Sequence, residues 1–283
     1  MPVADGTSVR MALNRPVAAA RGTMLLIHGL GGSAESGYMR RTARRARASG
    51  WVVARLNLRN CGGTEALAAT LYNAGQSGDA DAALRELASL ALPRPHVLVG
   101  FSLGGNIALL YSGLEGDACR ADAVVGVNPP VDLTLCIEAI ERSENALYEA
   151  YFTRRLCAQI RSIRRVRPVP GPEARPGAVG GVRGFDDAFT APDAGFASAA
   201  EYYLNASAAP HLSGLRRPTL ILSAKDDPFV PVTMFEAHRF ASSHLTYVHP
   251  RGGGHCGYWG SRRPRFWAAE AVIRFVEPLK GAG

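Results

Sequence analysis

The sequence predicts an α/β protein with a mostly parallel central sheet, helices on both faces and one helical insertion. Three observations predict it. Short β-branched apolar runs alternate with longer segments of helical spacing, first over residues 9–130 and again over 216–276. Some runs, such as Thr23-Met24-Leu25-Leu26-Ile27, are apolar without a break, as a strand covered on both faces requires. Between the two stretches, from Val131 to Leu215, no strand-like run occurs.

The elements follow in order. Residues 9–13 read as an edge strand and residues 23–27 as a buried one. Residues 38–48 have helical spacing, and Gly50 stops them. Residues 51–56 form the next strand. Residues 79–92 form a helix closed by Pro93. A central strand at 96–99 runs directly into a helix over 103–114. A strand at 123–127 ends at Asn128-Pro129-Pro130. Within the insertion, residues 138–166 are amphipathic and helical, with Ile140, Leu147, Tyr151, Leu156 and Ile160 near helical spacing. Residues 167–184, rich in Pro, Gly and Arg, are expected to be a mobile loop, and 196–204 a helix. The sheet rhythm resumes with a strand at 218–222, a helix at 233–240, a strand at 245–248 and a final helix at 265–276. The expected organisation is a core of residues 1–130 and 216–283, with residues 131–215 as a helical cap. A strandless insertion of this length is usually functional, as an active-site lid is.

Composition narrows the function. With 283 residues, 47% hydrophobic and 20% charged, the chain can bury one sizeable core. No apolar run approaches the roughly 20 residues that cross a bilayer, and the first residues lack a signal-peptide pattern. The five cysteines are scattered without CxxC spacing, so neither a zinc site nor a disulfide framework is indicated. They read as reduced thiols, and a cytoplasmic location is expected. The net charge of +8 does not imply a nucleic-acid partner. All but two of the 32 basic residues are arginine, a bias that a GC-rich genome also produces. Arg40, Arg41, Arg44, Arg45 and Arg47 read as the solvated stripe of a helix. The sequence does not fix an oligomeric state.

The chemistry concentrates in Gly100-Phe101-Ser102-Leu103-Gly104, a GxSxG motif placed between a buried strand and a helix. A sharp strand-to-helix turn strains its central residue and leaves no room for neighbouring side chains, hence the glycines. The turn lifts the Ser102 hydroxyl off the sheet as a candidate nucleophile. A serine needs a base. His255, in Gly252-Gly253-Gly254-His255-Cys256-Gly257, is favoured, and His249 is its rival. His28 reads as structural, and His96, His211, His238 and His244 as surface or capping residues. The base needs an acid to hold its tautomer. Asp227 is favoured over Asp226, which reads as a turn residue, and over Asp132. The oxyanion donors are expected to be the N–H of Leu103 and, from His28-Gly29-Leu30-Gly31-Gly32, the N–H of Leu30. That loop lacks the lysine of a P-loop and the spacing of a dinucleotide fingerprint.

On these residues the chain resembles the α/β-hydrolases, specifically the YheT-like branch of medium-chain ester hydrolases and fatty-acid ethyl-ester synthases. The resemblance rests further on Asn57-Leu58-Arg59-Asn60-Cys61-Gly62-Gly63 and Leu71-Tyr72-Asn73-Ala74-Gly75. Phe185-Asp186-Asp187, Tyr202-Tyr203 with Ser207, and Asp226-Asp227-Pro228-Phe229-Val230-Pro231 extend it over nearly the whole chain. It implies a triad of Ser102, Asp227 and His255, no cofactor and no metal. It implies hydrolysis of a small-molecule ester, with acyl transfer to an alcohol as the alternative and a catalytically silent binding protein as the third reading. Asn60 departs from the branch, which usually has glycine there. The membrane anchor of some members has no expected counterpart.

Overall fold

The computed structural model describes residues 1–17, 19–238, 241–260 and 265–279. Its strands are β1 (Arg10–Asn14), β2 (Thr23–Ile27), β3 (Val52–Asn57), β4 (His96–Phe101), β5 (Ala123–Val127), β6 (Thr219–Leu222) and β7 (Leu245–Val248). They form one sheet in the order β1-β3-β2-β4-β5-β6-β7. β1 pairs antiparallel with β3, and every other pairing is parallel.

Unbroken apolar strands require cover on both faces, and the sheet has it. Alternate residues point to opposite sides. Met24, Leu26, Val97 and Val99 pack with α1 (Gly37–Ala48) and the final helix Ala268–Val276. Leu25, Ile27 and Leu98 pack with α2 (Ser77–Ser89) and α3 (Leu103–Glu115). The chain leaves β2 toward β3 on one side, then crosses over to β4 and β5 on the other. The loops after β2 and β4 therefore diverge, opening a crevice at the carboxyl ends of the strands where such sheets bind ligands.

Residues 128–218, between β5 and β6, contain no strand. The long helix expected over 138–166 is two helices, α4 (Leu133–Ile140) and α5 (Ala146–Ile163). Asn145 makes the break. Buried between them, its amide donates to Ala139 O and to Pro228 O, both at 2.8 Å, closing the end of α4 and tying it to the core. Residues 167–184 are not a featureless loop. They carry short helices at Pro176–Val179 and Val182–Phe185, after which helical turns continue to Asp193. Val169, Ala174 and Val179 are buried, and Arg164 Nε donates to Val169 O at 3.0 Å, so the segment is anchored. The next helix runs Ala199–Ala206 because Ser198 caps it, accepting from Glu201 N. The helix expected at 233–240 covers Thr233–Glu236, and residues 239 and 240 lie outside the described residues. The final helix starts at Ala268 rather than 265. No helix among the described residues is long and apolar enough to cross a membrane. The five cysteines are free and buried.

Candidate active site

The turn between β4 and α3 holds Ser102 at φ 51°, ψ −125°, a strained backbone for a residue with a Cβ. Its flanking glycines are required sterically. A Cβ on Gly100 would lie 2.0 Å from Gly104 O, and one on Gly104 would lie 2.5 Å from both Ile27 O and His28 O. Ser102 N donates to Val127 O at 2.8 Å, which ties the turn to the end of β5.

His255 comes from the glycine-rich loop after β7. Its Nε2 stands 2.8 Å from Ser102 Oγ and its Nδ1 2.8 Å from Asp227 Oδ2. Asp227 follows β6, and its side chain is fully buried. Oδ1 accepts from the Phe229 and Val230 amides, each at 3.1 Å. Oδ2 accepts from the Asn128 side-chain amide as well as from His255. Four donors converge on this one carboxyl, which accepts from each of them. A carboxylate can only accept, so Nδ1 carries the imidazole proton and Nε2 is left to accept from the serine hydroxyl. The Phe229 ring meets the imidazole edge-on with centroids 4.4 Å apart.

The rivals have other work. His249 Nδ1 lies 3.2 Å from Ser223 O and its ring stacks on Tyr247, away from the serine. Asp226 Oδ1 accepts from Gly254 N at 2.8 Å and so holds the histidine loop. Asp132 caps α4 by accepting from Leu135 N. His28 is buried between two loops. Its Nε2 accepts from Leu58 N at 3.1 Å, so Nδ1 donates to Gly29 O at 2.8 Å. Burial lowers its pKa to about 4 and keeps it neutral. His96, expected as a surface or capping residue, is buried, with its ring nitrogen 3.1 Å from Leu92 O just beyond the end of α2.

Leu30 and Leu103 line the same cavity as Ser102 and His255. Among the described residues neither of their N–H groups has an acceptor, and Leu103 opens α3, whose positive dipole end points here. Two phenols shape the Leu30 loop. Tyr38 OH accepts from Gly29 N at 3.0 Å, and Tyr72 OH accepts from Gly31 N at 2.9 Å. The amides on either side of Leu30 are therefore occupied. Sequence reasoning missed these tyrosines and Asn128. The available signal for Asn128 was its place at the carboxyl end of β5, next to the strand carrying the serine.

Above Ser102 the cavity measures about 80 Å³. Its walls are mainly apolar: Leu71 and Leu103 from the core, and Ile137, Phe152, Leu156 and Phe185 from the insertion.

A parallel sheet with a strained serine at its crossover, followed along the chain by an aspartate and a histidine that reach it, defines an α/β-hydrolase class of protein. Residues 22–261 match the family described as alpha/beta hydrolase fold, and the chain belongs to that family. It is 31% identical over 278 residues to YheT of Escherichia coli strain K12, whose esterase name is provisional; the match covers 96% of this chain and 81% of that one. It is 27% identical over 270 residues to the monoacylglycerol lipase of Saccharomyces cerevisiae, covering 91% of this chain but 59% of the lipase. The fold is similar to that of Est1E from Butyrivibrio proteoclasticus, with a TM-score of 0.60 at 16% identity over 98% of this chain and 97% of that one.

Proposed function

We propose that the protein is a serine carboxylic-ester hydrolase that acts through an acyl-enzyme on short- to medium-chain acyl esters. The observation that carries this reading is the hydrogen-bond chain from Ser102 Oγ through His255 to Asp227, with both links at 2.8 Å. The esterase and lipase names of similar proteins support it.

In this reading Ser102 Oγ attacks the ester carbonyl carbon while its proton passes to His255 Nε2. The Leu30 and Leu103 N–H groups hold the oxyanion of the tetrahedral intermediate. Asp227 fixes the imidazole tautomer and stabilises the imidazolium. The intermediate collapses, the C–O bond to the alcohol breaks, and His255 returns the proton to the leaving oxygen. Water, deprotonated by His255, then attacks the acyl-enzyme and releases the acid. Residues 131–215 act as a cap whose apolar side chains take the acyl chain.

The test is turnover of an ester series of graded acyl length by wild type and Ser102→Ala. The expected result is turnover by wild type and a loss of roughly 10⁴-fold or more in kcat for the variant. Wild-type turnover by Ser102→Ala rejects the reading. Added ethanol separates hydrolysis from acyl transfer, which would be the better description if ester product exceeded simple reversal of hydrolysis.

A further inference from the structure

Hydrolysis of a plain acyl ester leaves one part of the cavity unused. Asp186 lines it, together with Thr190 and Tyr203. The Tyr203 hydroxyl donates to Asp186 Oδ2 at 2.7 Å. Asp186 and Thr190 open and close a π-helical turn, Asp186–Thr190. Such wide turns are rare and are concentrated at functional positions. The adjacent Asp187 differs. It accepts from Ala199 N at 2.6 Å and caps the following helix.

Asp186 has no salt bridge among the described residues. The nearby Arg183 is committed to Glu141 through two bonds of 2.7 Å. Burial pushes the Asp186 acid up to about 6, against the lowering effect of its hydroxyl neighbours Thr190 and Tyr203, with Asp187 adding a smaller rise and Arg183 a smaller fall. A buried carboxyl without a cation costs stability. Holding Tyr203 in place needs only one acceptor oxygen, which an amide supplies without that cost.

We propose that Asp186, with Thr190 and Tyr203, forms a subsite that accepts a hydrogen bond from a hydroxyl group carried by the ester substrate. The proposal rests on the ester-hydrolase reading and names the substrate class within it. A hydroxyl suits the subsite better than an ammonium group, because the other walls are mainly apolar and carry no second carboxylate among the described residues.

The test compares kcat/KM for pairs of esters that differ by one hydroxyl, placed at graded positions on the acyl chain or on the alcohol. Wild type is expected to favour one hydroxylated member by about 10- to 100-fold, the range of a hydrogen bond to a charged group. The favoured position tells which half of the ester reaches the subsite. Asp186→Leu is expected to bring that ratio to about 1 or below, whereas Asp186→Asn, which keeps an acceptor oxygen, retains part of it. A merely structural carboxyl would move both members of each pair by the same factor, leaving the ratio unchanged. A wild-type ratio near 1 at every position, or an unchanged ratio in both variants, overturns the proposal. If Asp186→Leu does not fold, wild type and Asp186→Asn still decide. Turnover of no ester, with no labelling of Ser102 by a fluorophosphonate, would sink the hydrolase reading and this proposal with it. Equal turnover of paired esters by an enzyme that labels at Ser102 sinks the subsite alone.

Discussion

Asp227→Asn replaces one oxygen by an NH₂ group and should disable the site without emptying it. Oδ1 faces two backbone donors, Phe229 N and Val230 N, so the asparagine oxygen must take that position. The new NH₂ then occupies the Oδ2 position, where it meets another donor, the Asn128 side-chain amide, and the His255 Nδ1 that formerly donated to it. Nδ1 must give up its proton to accept, and the proton moves to Nε2. Nε2 then donates to Ser102 Oγ instead of accepting from it, and the base is lost. A wrong-tautomer change of this kind lowers kcat about 10⁴-fold, or ~5.4 kcal/mol in the barrier. The flipped amide would set its NH₂ against both backbone donors, so rotation offers no escape. The assay is steady-state ester hydrolysis, with thermal unfolding to check that the variant is folded. A folded Asp227→Asn enzyme that keeps more than about a tenth of wild-type kcat refutes the reasoning.

Tyr72→Phe removes the acceptor of Gly31 N and should loosen the Leu30 loop. The expected loss is about tenfold in kcat with KM little changed, below the 10²–10³ of deleting an oxyanion donor itself; an unchanged kcat would free the phenol of this role. Asn60→Gly should stabilise the fold by about 1–2 kcal/mol in urea unfolding, because φ at Asn60 is 58° and neither polar atom of its buried side chain has a partner among the described residues. A loss of stability would show that the amide is satisfied. Asp186→Asn tests the carboxyl's energetic cost. The folded-state pKa of about 6 lies above the ordinary 3.8, so this carboxyl's contribution to wild-type stability is most favourable below pH 3.8 and falls as pH rises toward 6. Relative to wild type, Asp186→Asn should therefore gain about 2 kcal/mol between pH 4 and pH 7. A difference that does not change with pH contradicts the placement of this group.

Much of the site is legible in the sequence because its residues sit where strands end. Ser102 follows β4, Asp227 follows β6 and His255 follows β7, and each lies in local punctuation that an eye can find: GxSxG, DDP and GGGH. The partners of those residues are harder to read. Asn128 looks like the turn residue of Asn-Pro-Pro, yet its amide reaches an aspartate 99 positions away. The phenols of Tyr38 and Tyr72 reach loop amides 9 and 41 positions away. Such contacts depend on how elements pack, which periodicity does not encode. The insertion is misread for a similar reason. Residues 138–166 keep an apolar helical rhythm across a break made by the tertiary bonds of Asn145. The proline- and glycine-rich stretch looks mobile, although buried Val169, Ala174 and Val179 pin it down. Asn60 shows the reverse case. The resemblance leads one to expect glycine at this position, and the left-handed backbone of Asn60, with φ 58°, is one that glycine adopts freely.

The most direct measurement is the mass of the enzyme quenched during turnover of a short-chain activated ester, followed by peptide mapping. The account predicts one added acyl group, located on Ser102 and absent from Ser102→Ala. Hydrolysis that proceeds with no acyl group on Ser102, or with the group on another residue, would contradict it.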